Sequence, residues 1–214
     1  MSQEKGLLIA FEGAGRSGKS SLIRLLREKL EQSGRDTAFT EWNSYPGTQE
    51  LIDDKKLHFT FNPLTYSVLH LADFALRHEE IVRPALEQGQ VVLADRWIYT
   101  PLTRDVARGI SSEYIRQCYS FASSADLVFY VEVPVEVALE RHRTTKGYYN
   151  HNAGTDIWPD VSHEDAFRLY HRRLTDLYGE LLVTEGFVKL DGLKTPEELL
   201  VDMWTHVERL LGER

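Results

Sequence analysis

An apolar run, Leu7 to Phe11, passes directly into Gly13-Ala14-Gly15-Arg16-Ser17-Gly18-Lys19-Ser20, and no other stretch constrains this chain as tightly. The octet fits the phosphate-binding pattern G-x-x-x-x-G-K-[ST] at every fixed position. Leu22, Ile23, Leu25, Leu26 and Leu30 recur at helical spacing behind it, so the octet sits at the strand-to-helix junction that its chemistry requires. Glycines there let successive N–H groups turn inward as an anion nest, closed by the positive end of the following helix. Lys19 then reaches the β and γ phosphates of a nucleotide. Ser20 offers a hydroxyl to Mg²⁺, which keeps most of its shell as water and phosphate oxygen. The expected nucleotide contacts are Gly13, Ala14, Gly15, Arg16, Ser17, Gly18, Lys19, Ser20 and Ser21, with ATP and Mg²⁺ as cofactors. A ligand-free glycine-rich surface loop is the plainer reading, but it leaves the position of the octet unexplained.

The same kind of alternation continues along the chain. Apolar runs suited to buried parallel strands fall at 7–11, 37–41, 91–94, 127–133 and 187–190, and helical periodicity at 19–32, 63–88, 112–120, 135–143, 163–184 and 196–211. Strands alternating with helices predict an α/β fold of the P-loop type: three layers, with a five-stranded parallel sheet flanked by helices. No stretch reads as an interdomain linker, so residues 1–214 form one expected domain. Residues 144–162 are rich in Gly, Asn, Asp and Tyr and lack apolar periodicity, and a connection of that length inside a compact domain is commonly functional or disordered. We expect a lid there.

Charge narrows the partners. A formal net charge of −8 and a pI near 5.5 argue against a nucleic-acid polymer, whose phosphate backbone needs a basic surface. Cys118 is the single cysteine, which excludes an internal disulfide framework and suits a reducing compartment. The start of the chain lacks a signal-peptide pattern, and no apolar run approaches the roughly twenty residues of a membrane span. The expectation is a cytoplasmic protein with no membrane partner.

A second chemical cluster lies in Val91 to Pro101, where Asp95 and Arg96 end a strand at the sheet edge where α/β proteins hold ligands. Asp95 suits a role in holding Mg²⁺ through its waters or in taking a proton. The planar fork of Arg96 suits an acceptor phosphate. A structural ion pair is the alternative for this dipeptide, and its place beside the phosphate loop favours function. Arg16, inside the loop, is positioned to stabilise charge on the transferring phosphoryl group, as an arginine finger does in cis; simple solvent exposure is the alternative. Arg141, Arg143 and Lys146 bring positive charge to the start of the 144–162 loop, either closing over phosphates or complementing a helix C-terminus. The histidines lack metal-binding spacing. Among Trp97, Tyr99, Tyr148, Tyr149 and Trp158, packing accounts for at least half, and the rest suit stacking on a planar acceptor.

With these segments in place the chain resembles the thymidylate kinase family over nearly its whole length. Phe11-Glu12-Gly13 running into Gly18-Lys19-Ser20 looks like the family's FEG-x-D-x-x-GKST, and Leu71 to Trp97 looks like its helix-to-DR segment. Phe129 to Arg143 looks like its strand and helix before the lid. The resemblance implies transfer of the γ-phosphate of ATP to dTMP or another small acceptor. It assigns catalysis to Arg16, Lys19, Asp95 and Arg96, with Ser20 and Asp95 at the metal, and it implies a dimer, for which the long helix at 63–88 is the candidate face. The acceptor side departs from the pattern. Gly15 stands where the family has an acidic residue meeting the acceptor sugar, Asn43 to Thr48 replaces REPGGT and lacks its arginine, Phe74 replaces the arginine of ADR, and Thr103-Arg104-Asp105-Val106 replaces an AYQG-like stretch. The acceptor pocket is then expected from Phe74, Arg96, Tyr99, Arg104 and Asp105, with weak turnover of dTMP. Two alternatives remain: a kinase for a hydroxyl acceptor, with Asp95 as general base, and a nucleotide-binding regulator that hydrolyses slowly.

Overall fold

A computed structural model describes residues 5–58, 61–143 and 153–213. Five strands, β1 (Leu7–Glu12), β2 (Thr37–Glu41), β3 (Val91–Asp95), β4 (Leu127–Glu132) and β5 (Val188–Asp191), form one sheet in the order β2-β3-β1-β4-β5. Every pairing is parallel. β1 and β3 are buried along their whole length, as expected of strands covered on both faces.

One face packs against α1 (Lys19–Gln32) and α9 (Pro196–Gly212). Leu22, Ile23, Leu26 and Leu30 of α1 meet Ile9, Phe11, Leu93 and Phe129 of the sheet, joined by Leu199, Met203 and Val207 of α9. Each such fully buried side chain contributes about 1.5–3 kcal/mol. The other face is covered by α3 (Pro63–Arg77), α5 (Tyr99–Arg104), α6 (Ser112–Cys118) and α8 (His163–Glu185) through Phe74, Leu102, Ile115, Tyr170, Leu174 and Tyr178. α7 (Val135–Arg143) packs on α8 beyond the end of β4. This is the expected three-layer arrangement.

Three local findings differ from the sequence reading. Residues 63–88 do not form one uniform helix: a π-helical turn, His78–Val82, separates α3 from α4 (Arg83–Glu87). Pro84 explains the interruption, since it has no N–H to continue the regular ladder, and Arg83 N–H instead bonds back to His78 O. A helix absent from the periodicity reading, α2 (Pro46–His58), follows β2; it buries Ile52 but leaves Leu51 43% exposed, so it carries no apolar stripe to announce it. The loop expected at 144–162 is only partly a loop. Residues 144–152 lie outside the described residues, whereas Ala153 is fully buried and Ile157 and Trp158 pack against the core. Gly154, at φ +72°, sits so close to Tyr170 that a Cβ would lie 2.4 Å from that residue's own Cβ.

Candidate active site

The phosphate loop joins β1 to α1 at the C-terminal edge of the sheet. Gly13, at φ +142°, passes so near Val131 O that a Cβ there would lie 2.6 Å from it, so only glycine fits. Arg16 and Arg96 adopt left-handed backbones without being glycine, φ 65° and 76°. Such conformations cost of order 1–3 kcal/mol and gather at functional sites. Lys19 is buried, and its Nζ donates to Ala14 O at 3.2 Å, Ser17 Oγ at 3.3 Å and Gly13 O at 3.5 Å. Burial, then the charge of Arg96, pushes its ammonium down to about 7, Arg104 adds to the effect, and Asp95 and Glu12 oppose it. In front of the loop opens a cavity of about 370 Å³ lined by Arg16, Ser17, Gly18, Lys19, Ser20, Ser21 and Arg141.

The strand-end pair is drawn onto this loop. Ser20 Oγ donates to Asp95 Oδ2 at 2.9 Å, and Arg96 Nη1 donates to Gly13 O at 2.9 Å. Asp95 and Arg96 are both buried. Beneath them, Glu12 has no exposed surface and accepts from Trp97 N at 2.8 Å, Thr100 Oγ1 at 2.8 Å and Tyr178 OH at 2.7 Å. Burial raises the Glu12 carboxyl, while the charge of Arg96 and these donors pull it back. Trp97 is thereby a core residue, with its Nε1 bonded to Ser123 O at 3.0 Å.

Of the expected acceptor residues, Arg96 and Arg104 stand among the cations around Lys19, and burial and the charge of Arg96 lower Arg104 to about 10. Asp105 is buried nearby. Phe74 and Tyr99 are different. Phe74 has no exposed surface and packs against Trp97, its ring centroid 4.6 Å away, and Tyr119, 5.0 Å away. Tyr99 packs edge-on at 4.6 Å against Phe187, just before β5. Neither ring faces the cleft in this structure; both complete the core beneath it.

The residue missed from the sequence is Arg77. It is buried, donates from Nε to Asp73 Oδ2 at 2.7 Å and from Nη1 to Thr40 Oγ1 at 2.9 Å, and its Nη2 has no partner among the described residues. Asp73 also accepts from Tyr45 N at 2.9 Å and Thr48 Oγ1 at 2.8 Å, tying the start of α2 to α3. Arg77 thus places a buried guanidinium one helical turn after Phe74. The i,i+4 spacing of Asp73 and Arg77 was the available signal.

Of the cations expected at the lid, Arg141 and Arg143 are already engaged. Arg141 Nη1 donates to Arg16 O at 3.2 Å and Ser17 O at 3.5 Å, and Nη2 to Gly192 O at 3.2 Å, bridging the phosphate loop to the β5–α9 turn. Arg143 is held by Glu164 through two bonds of 2.9 and 2.7 Å and by Glu140 at 3.1 Å, pointing along α8 instead of over the loop. Lys146, Tyr148 and Tyr149 lie outside the described residues. Asp156, on the near side, is clasped by Arg108 Nε at 2.7 Å and Nη2 at 3.0 Å.

Residues 11–177 match the family model for thymidylate kinase. The chain is 36% identical over 211 residues to the probable thymidylate kinase 2 of Saccharolobus solfataricus, covering 98% of this chain and 97% of that one. The thymidylate kinase of Halothermothrix orenii is 30% identical over 216 residues, covering 97% and 99%. The probable thymidylate kinase of Thermococcus kodakarensis is 30% identical over 220 residues, covering 97% and 100%.

Proposed function

The chain belongs to the thymidylate kinase family and is an ATP-dependent phosphotransferase, and we propose that it moves the γ-phosphate of ATP to the phosphate of a nucleoside monophosphate such as dTMP. The observation that carries the acceptor is the 2.9 Å bond from Arg96 Nη1 to Gly13 O. It seats a strand-end guanidinium, with further donors to offer, directly against the loop that cradles the donor phosphates. Transfer between two phosphates needs such a bridge; slow hydrolysis by a switch does not.

Placement supports a role for each residue. Gly13 to Ser21 line the donor phosphates, with Lys19 leaving its loop carbonyls for the β and γ oxygens. Arg16 meets the charge that develops on the transferring group, Arg96 binds the acceptor phosphate, and Arg104 adds to the field around both. Mg²⁺ fits the donor set: a hydroxyl and a carboxylate at Ser20 and Asp95 supply oxygen only, and no group of three or more His, Cys, Asp or Glu among the described residues forms a dedicated cage. When bound there, the ion neutralises phosphate charge. Catalysis is then positioning plus charge stabilisation, with little covalent chemistry asked of the protein.

Exposed Leu64 and Val68 on α3 support a homodimer through that helix, which sedimentation at several concentrations checks. No described helix is long and apolar enough to cross a membrane, and a cytoplasmic site of action follows from the use of ATP and a nucleotide. ADP release measured with dTMP, other nucleoside monophosphates and the free nucleosides tests the function. Stimulation by a monophosphate is expected. Stimulation by nucleosides alone would replace it with a hydroxyl kinase.

A further inference from the structure

Arg141 stands in the last turn of α7, where a basic residue ordinarily complements the carbonyls of its own helix. Three of its hydrogen bonds leave α7 altogether: Nη1 donates to Arg16 O at 3.2 Å and Ser17 O at 3.5 Å, and Nη2 to Gly192 O at 3.2 Å. The Gly192 end of this bridge is fixed. Gly192 N donates to Glu132 O at 2.8 Å, and a Cβ at Gly192 would lie 2.7 Å from that oxygen and 2.5 Å from Val133 Cγ1. The turn is therefore wedged against the end of β4, the strand that Gly13 also approaches at Val131 O. One guanidinium carries that anchorage from β4 to the middle of the phosphate loop.

What the bridge holds is the backbone at Arg16. Its φ is 65°, a left-handed conformation unfavourable to a residue with a Cβ, so its surroundings must keep it there. A loop that turns its amides toward phosphate turns its carbonyls elsewhere, and Arg141 meets two of them in succession with charge-assisted donors. The Arg16 side chain, by contrast, is exposed and makes no hydrogen bond or ion pair among the described residues. Its direction is set by its backbone. We propose that Arg141 is a positioning residue that fixes the left-handed backbone at Arg16 and so presents the Arg16 guanidinium to the transferring phosphoryl group. The inference rests on the role given to Arg16 under the proposed function. A lysine does not do the same, since a single ammonium lacks the planar fork that reaches the loop and Gly192 together.

A double-mutant cycle tests it, with kcat measured at saturating ATP and acceptor for wild type, Arg16→Ala, Arg141→Met and the double variant. Methionine keeps an apolar stem and removes the donors. In the wild-type background Arg141→Met should lower kcat about 10-fold, whereas in the Arg16→Ala background it should change kcat by less than about twofold, because the side chain it serves is gone. Arg141 also lines the cavity in front of the loop, so any rise in the KM for ATP should be the same in both backgrounds. A merely structural loss lowers kcat by equal factors in both. Equal factors, or an unchanged kcat in Arg141→Met, overturn the proposal. Arg141→Lys, with the same coupling expected, takes its place if a thermal melt shows Arg141→Met unfolded. If Arg16→Ala alone leaves kcat unchanged, the role of Arg16 fails, and Arg141 is judged on the backbone: NMR couplings that read the sign of φ should report a left-handed Arg16 in wild type and its loss in the Arg141 variant. A left-handed Arg16 that survives there overturns the positioning as well.

Discussion

Ser20 Oγ and Asp95 Oδ2 lie 2.9 Å apart although 75 positions separate them in the chain. The bond pins the first turn of α1 to the end of β3 and, in the function proposed above, holds a hydroxyl and a carboxylate where a hydrated Mg²⁺ would meet the nucleotide. Ser20→Ala and Asp95→Asn should each raise the Mg²⁺ concentration needed for half-maximal turnover and lower kcat by about 10- to 100-fold, since each removes one polar contact acting in the transition state. Mg²⁺ titrations at saturating ATP check this. Unchanged Mg²⁺ dependence in both variants would remove the metal from this pair.

Lys19 should take up a proton when ATP binds. In the nucleotide-free protein burial and the charge of Arg96 push its ammonium down to about 7, so near pH 8 it is mostly neutral, and phosphate oxygens would restore its charge. Uptake should approach one proton at about pH 8 and vanish at about pH 6, with ATP affinity falling as pH rises above 7. Calorimetry in buffers of differing ionisation enthalpy measures it. Lys19→Ala should abolish both the uptake and the transfer while leaving the fold intact.

Arg16 is exposed on a left-handed backbone in the loop. Its side chain is therefore free to meet charge that exists only during transfer. Arg16→Ala should lower kcat by about 10- to 100-fold and change the KM for ATP by less than about threefold. Equal loss in ATP affinity with unchanged kcat would make it a ground-state phosphate contact.

Glu12 tests what holds the site up. Its oxygens accept from three donors, Trp97 N, Thr100 Oγ1 and Tyr178 OH, and the amide of Glu12→Gln turns a donor toward at least one of them. Thermal or urea unfolding should show a loss of about 1–3 kcal/mol. The sign of its pH dependence is set by its raised carboxyl. The folded state holds that proton to higher pH than the unfolded chain, so its stabilisation is present at low pH and fades as pH rises through the folded value. The gap between wild type and variant should then be wider at about pH 5 than at about pH 8.

What the linear chain determined is the donor half of the site. The loop from Gly13 to Ser20 is contiguous, its glycines answer local backbone demands, and the strands and long helices around it announce themselves by apolar periodicity over neighbouring residues. Strand existence and the α/β class were legible for that reason, as were Asp95 and Arg96 at a strand end. The acceptor half was decided by tertiary structure. The order β2-β3-β1-β4-β5 sets the end of β2 beside Asp95, and nothing near residue 41 in sequence signals that. Whether a ring faces a ligand or the core depends on helices from elsewhere: Phe74 was sealed by Trp97 and Tyr119, Tyr99 by Phe187. Arg77 is held at the end of β2 only because α3 lies against Thr40. Phosphate binding by backbone amides is a property of one short segment. Recognition of an acceptor is a property of side chains gathered from several, and only their packing says which ones meet.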